Sequence, residues 1–189
     1  MLCWHEDFIS MADKQLGGSF IIRFDYRDTG TSTNFPLGEA AHYSINDLCD
    51  DAVAILDELR IESANLVGFS LGGAIAWMIA SQHPQRVRSV SLFSSSPVGP
   101  LPSGQDALPQ WNSELSAQRA TAPFPSDWQN LDMVTDFLMF CVDCTSFPKS
   151  EGAEREEIYR RQTIEFARVS RQGNSVQSIF NQSAAVSGR

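Results

Sequence analysis

Positive charge is scarce in this chain. Fourteen lysines and arginines stand against 23 aspartates and glutamates, a formal net charge of −9. With no basic stripe to offset that balance, neither nucleic acid nor an anionic membrane is expected as a partner. Histidine is scarcer still, with only His5, His42 and His83, so candidates for a general base are few. No apolar run approaches the roughly 20 residues a membrane helix needs. Residues 1–7 hold neither a basic n-region nor an apolar signal core, and a cytoplasmic location is the expectation. Cysteine is sparse as well: Cys3, Cys49, Cys141 and Cys144. The last two form a lone C-x-x-C, without the second pair or the histidines at ligand spacing that zinc requires. They are read as reduced thiols, and no metal or cofactor is expected. The sequon at Asn181 is read as silent without a secretory signal. What remains is a globular composition of 189 residues, 42% hydrophobic and 20% charged, enough for one domain or a domain with a small cap.

One stretch organises the rest: Val67-Gly68-Phe69-Ser70-Leu71-Gly72-Gly73. A β-prone run, 64–69, leads in, and an Ala-rich helical run, 71–81, leads out. The Gly-Phe-Ser-Leu-Gly between them fits G-x-S-x-G, a tight strand-to-helix turn that lifts a serine above the sheet edge. Gly68 and Gly72 are expected for steric reasons, because a Cβ on either flank would crowd the neighbouring strand or helix. The helix N-terminus just past the serine favours negative charge at that spot.

Along the chain, 7–16 reads as an amphipathic helix with Phe8, Met11, Ala12 and Leu16 on one side, closed by Gly17-Gly18. Residues 19–24 read as a strand and 25–43 as a long loop. Ser44, with Asp47 three residues on, caps a helix running to about residue 60, with Leu48, Ala52, Ile55 and Leu59 as its apolar face. The 66–69 strand, the serine turn and a helix ended by Pro84 follow, then a strand over 87–93. Alternation of strand and helix implies parallel strands with helical crossovers. Residues 94–102 are a Ser/Pro-rich linker. Beyond them the pattern is helical only, with amphipathic runs at 127–142 and 154–170 and a third at 175–186.

Three motifs in order carry a resemblance: Phe24-Asp25-Tyr26-Arg27-Asp28-Thr29-Gly30-Thr31-Ser32, Asp51-Ala52-Val53-Ala54-Ile55-Leu56-Asp57, and Gly68-Phe69-Ser70-Leu71-Gly72-Gly73. Together they resemble the α/β-hydrolase fold, and the R-D-T-G-x-S loop resembles its aclacinomycin methylesterase-type branch. The resemblance implies a partial α/β-hydrolase core over 1–99, a short parallel sheet flanked by helices, and an all-helical cap over 100–189. It implies a serine hydrolase acting on a small carboxylic ester, a methyl ester or lactone of secondary metabolism. Ser70 would be the nucleophile and the Leu71 backbone N–H an oxyanion donor, with Phe69 and Trp128 lining the substrate pocket. A serine at this position argues against the epoxide hydrolases and haloalkane dehalogenases of the fold, which use aspartate there.

The family pattern runs Ser, then Asp or Glu, then His, on loops after two late strands. Here no strand-like run follows Phe93 and no histidine follows His83. The family also has strands that would precede Met1, one of which carries the second oxyanion N–H and another of which lies between the strands at 20–24 and 66–69. The expectation is a chain truncated at both ends, with unpaired strand edges open to self-association. His83 is excluded as base, because thirteen residues of helix put it about 20 Å from the serine. His5 and His42 are read as non-catalytic, Asp25 and Arg27 as braces of their loop, and Trp4, Trp77 and Trp111 as packing. Two readings stay open beside the hydrolase: a truncated, non-catalytic relative lacking the acid and the base, and an assembly in which a second chain supplies the missing strands.

Overall fold

The computed structural model describes residues 4, 6–35, 43–96, 98, 112–127, 130–145, 157, 160, 161, 163 and 164. They fall into two units, one of the described residues up to 35 and from 112 onward, the other of those from 43 to 98.

The 43–98 unit is built on two parallel strands. β1 (Ala64–Phe69) and β2 (Val87–Phe93) run side by side, with Asn65 opposite Ser89 and Phe69 opposite Phe93. Parallel neighbours need a crossover; α3 (Leu71–Gln82) supplies it and packs on both strands. α2 (Ile45–Glu58) packs in turn on α3. Apolar on most sides, α3 buries Ala74, Ile75, Ala76 and Ile79, as a helix held between layers must. A short 3-10 turn, Pro84–Arg86, joins α3 to β2. From it Arg86 donates to the carbonyls of Glu62 (2.8 Å) and Ile61 (3.0 Å) and pairs with Asp57 at 2.6 Å.

Local chemistry sets the bounds of α2. At its start the Asp47 carboxylate accepts from both the backbone N–H and the hydroxyl of Ser44, each at 2.7 Å, as the Ser-x-x-Asp spacing predicts. The helix ends at Glu58, two residues short of the expected 60. Arg60 has φ +56, and the N–H groups of Arg60 and Ile61 donate back to Asp57 and Leu56 at 2.9 and 2.8 Å. This is a Schellman closure with arginine where glycine usually stands. The buried residues are Ile45, Leu48, Cys49 and Leu56; of the predicted face, Leu48 is buried as expected and Ala52 and Ile55 are half-buried. Leu59 lies past the last turn and is exposed.

In the other unit α1 (Glu6–Leu16) forms as expected and is closed by Gly17 and Gly18, both at positive φ. Its apolar side is not buried: Phe8, Met11 and Leu16 are exposed. The predicted strand at 19–24 is absent. Those residues join no ladder among the described residues, and β-prone side chains do not make a strand without a neighbour's N–H and C=O groups. Arg23 instead ties the segment to α1, donating to the Trp4 carbonyl at 2.8 Å and pairing with Glu6.

Helices α4 (Ser113–Ala120) and α5 (Leu131–Thr145) pack together. The rings of Phe124 and Phe137 sit 4.9 Å apart. Periodicity does not single out α4; the Asn112 side chain starts it by accepting from Glu114 and Leu115. Asn130 likewise accepts from Asp132 and Met133, which starts α5 four residues later than the expected 127. Of the 154–170 helix, residues 157, 160, 161, 163 and 164 are helical and the rest lie outside the described residues, as does all of 175–186. No helix among the described residues is long and apolar enough to cross a membrane.

Candidate active site

The turn between β1 and α3 is one residue long. Ser70 has φ +52 and ψ −120, neither helical nor extended. Its N–H donates to the Phe93 carbonyl at 2.9 Å, which prolongs the β1–β2 ladder. Its carbonyl accepts from Gly73 (2.9 Å) and Ala74 (3.2 Å), which opens α3. A non-glycine at such a φ costs about 1–3 kcal/mol and persists only where its surroundings over-determine it. The bonds on both sides do so here, and the side chain is left exposed.

Two glycines make the turn sterically feasible. A Cβ on Gly68 would overlap the Gly72 carbonyl oxygen, and one on Gly73 would overlap the Ser95 side chain. The requirement at Gly68 was legible in the motif. That at Gly73 was not, because its partner lies beyond β2.

The Leu71 and Gly72 N–H groups belong to the first turn of α3, where no carbonyl one turn earlier in the helix can accept them. No acidic side chain occupies that turn, so the positive end of the helix dipole is not neutralised by its own residues. An anion forming at Ser70 would meet both N–H groups and dipole.

The remaining candidates are scattered. Phe69, the last residue of β1, is 53% exposed beside an equally open Phe93. Leu71 is the first residue of α3 and half-buried. Trp128, His5 and His42 lie outside the described residues. His83 follows the last residue of α3, at the opposite end from Ser70, with Nε2 4.0 Å from Asp50 Oδ1. Among the described residues no cluster of His, Cys, Asp and Glu could hold a metal ion. Cys49 is buried in α2, its Sγ 3.8 Å from the Ile75 carbonyl. Burial, and then the charge of Asp50, push its thiol up to about 11. Such a thiol is a packing group rather than a nucleophile.

In the other unit, the loop at 25–35 is braced from within. The Asp25 carboxylate accepts from the Thr31 N–H at 3.4 Å, its carbonyl accepts from Ser32 Oγ at 2.7 Å, and a Cβ on Gly30 would overlap that carboxylate. Arg27 is half-buried. The more deeply placed brace is Asp28, which sequence reasoning missed. It is buried at φ +64, its N–H donates to Thr33, and its carboxylate accepts from the Phe35 N–H at 2.6 Å. The available signal was Asp-Thr-Gly, whose aspartate tolerates a left-handed turn and bonds its own backbone.

A family model for the alpha/beta hydrolase fold matches residues 2–148. The chain belongs to this family, the α/β hydrolases. Its known relatives include hydrolases and esterases. The rhodomycin D methylesterase of Streptomyces sp. (strain C5) is 34% identical over 91 residues, which is 48% of this chain and 29% of that protein. The 2-hydroxymuconate semialdehyde hydrolase of Pseudomonas sp. (strain CF600) is 42% identical over 80 residues, 42% of this chain and 28% of that one. Each match thus spans under a third of the relative's length. Among solved structures, an α/β-hydrolase enzyme from a Medee basin deep-sea metagenome library aligns with TM-score 0.59 at 13% identity, covering 96% of this chain and 59% of that one. In this α/β hydrolase the two strands, the crossover helix and the serine turn form a partial version of the family fold.

Proposed function

We propose that this α/β hydrolase cleaves a small carboxylic ester, a methyl ester or lactone of a secondary metabolite, through Ser70. The observation that carries the reading is the Ser70 backbone, at φ +52 and ψ −120 between β1 and α3. Ser70 Oγ attacks the acyl carbon and the carbonyl electrons move to oxygen. The Leu71 N–H, at the positive end of α3, meets that oxyanion. Collapse breaks the ester C–O bond, the departing oxygen takes up the proton lost by Ser70 and leaves as the alcohol, and water then hydrolyses the acyl-serine to the acid and the free Ser70 hydroxyl. Phe69, exposed at the end of β1 beside Ser70, offers the substrate an apolar surface. The similarity to rhodomycin D methylesterase supports the choice of a methyl ester.

A second reading is a non-catalytic relative that holds an ester without turning it over. The position of His83 favours it, since the one histidine among the described residues sits at the wrong end of α3, and a base must lie within about 3 Å of the hydroxyl or one water away. A fluorophosphonate probe read by peptide mass spectrometry, beside a methyl-ester hydrolysis assay, separates the two. The hydrolase reading expects Ser70 labelled in wild type, no label on Ser70→Ala, and turnover lost with the label. A folded wild-type chain that neither labels nor turns over removes the hydrolase reading. Label without turnover favours the non-catalytic one.

A further inference from the structure

We infer that Ser95 is a positioning residue for Ser70, so that the end of β2 as well as α3 holds the nucleophile's turn. The inference rests on the reading of Ser70 as nucleophile.

β2 ends at Phe93, and Ser94 follows at φ +47. That left-handed residue turns the chain sharply, and Ser95 comes to rest against the first turn of α3. A Cβ placed on Gly73 would overlap Ser95 Cβ and lie 2.6 Å from Ser95 Oγ, but it would stand 3.2 Å from the Gly68 carbonyl oxygen. The side chain of Ser95 therefore fills the space that a methyl group on Gly73 would need. Two residues earlier, the Phe93 carbonyl holds the Ser70 N–H at 2.9 Å, and Gly73 donates to the Ser70 carbonyl at 2.9 Å. One three-residue segment, 93–95, thus touches both sides of the strained serine, by a hydrogen bond on the strand side and by packing on the helix side. The packing works only if the two side chains are small together.

A misplacement of about 1 Å in a reacting group can cost up to about a hundredfold in rate, so a contact one turn from Ser70 Oγ registers in its reactivity. Gly73→Ala displaces Ser95 or tilts the first turn of α3, and the hydroxyl moves with it. Ser95→Gly deletes both atoms that crowd the new methyl, leaving the Gly68 carbonyl as the nearest neighbour.

The test uses the full chain and two readouts: the rate of fluorophosphonate labelling at Ser70 and hydrogen exchange of the Ser70 amide. Gly73→Ala is expected to slow labelling by about tenfold or more and to speed amide exchange. Ser95→Gly alone loosens the contact and slows labelling less. The double variant Gly73→Ala/Ser95→Gly is expected to label at least about fivefold faster than Gly73→Ala, a coupling that independent sites do not show. Should Gly73→Ala fold poorly, Ser95→Leu crowds the same contact from the loop side and is expected to slow labelling alike. Wild-type labelling in Gly73→Ala, or no recovery in the double variant, overturns the inference. If the wild-type chain does not label at all, the nucleophile reading fails. The Ser70 amide still reports whether Ser95 holds the turn, through loss in Gly73→Ala and recovery in the double variant.

Discussion

The hydroxyl of Ser70 owes its exposure to a backbone conformation that neither strand nor helix would adopt, and Cys49 shows the opposite arrangement. Its side chain is inside, between α2 and α3, and the interior resists its ionisation. Folding raises the thiol from its ordinary 9.0 to about 11. Between those values the folded chain keeps a proton that the unfolded chain has released. Stability from this group is therefore complete below about pH 9 and drains away as pH climbs toward 11. Urea midpoints measured from about pH 8 to pH 11 should fall for wild type and fall less steeply for Cys49→Ala, which has no thiol to titrate. Parallel curves would show that other groups govern the alkaline loss. At this scale the sequence was informative where the signal was local. The serine turn could be read because five consecutive residues encode it. The contact between Gly73 and Ser95 could not, since the rest of α3 and all of β2 separate the two.

Element boundaries follow hydrogen-bond donors and acceptors more closely than they follow apolar periodicity. α2 begins where Ser44 and Asp47 satisfy each other, and α4 and α5 begin where Asn112 and Asn130 accept from the first turn. Each of these caps is a short polar signal, and those at Asn112 and Asn130 are easily lost beside the stronger apolar pattern that follows. The end of α2 makes a quantitative point. Arg60 is exposed and sits at φ +56, where a Cβ is strained and glycine is not. Arg60→Gly is expected to stabilise the chain by about 0.5–1 kcal/mol, relieving that strain while keeping the two closing bonds. In a chain of this size that is a rise in melting temperature of about 1–4 °C. A lower melting temperature would mean that the arginine side chain contributes more than its backbone costs.

For the molecule as a whole, the instructive miss is the strand at 19–24. Its residues have the right β-propensity, yet pairing is a property of two segments, and no ladder joins it among the described residues. β1 and β2 succeed because α3 brings them together. Even so, two strands are a minimal sheet. α3 covers one face, while Val67, Phe69 and Phe93 on the other are each about half exposed. Each strand also has one edge without a ladder among the described residues. Exposed edges beside apolar side chains recruit further strands, and a second copy of this chain offers the same surface. The net charge of −9 opposes that meeting, but its reach is only about 10 Å at 0.1 M salt. Association is therefore expected to grow with both protein concentration and ionic strength. Val67→Lys places a charge on the open face of β1, one residue before Gly68 and outside the serine turn, and should shift the chain toward monomer. Sedimentation velocity over a concentration series at low and high salt reads this directly. A wild-type chain that sediments as a monomer throughout would show that the open edges are protected without a second copy.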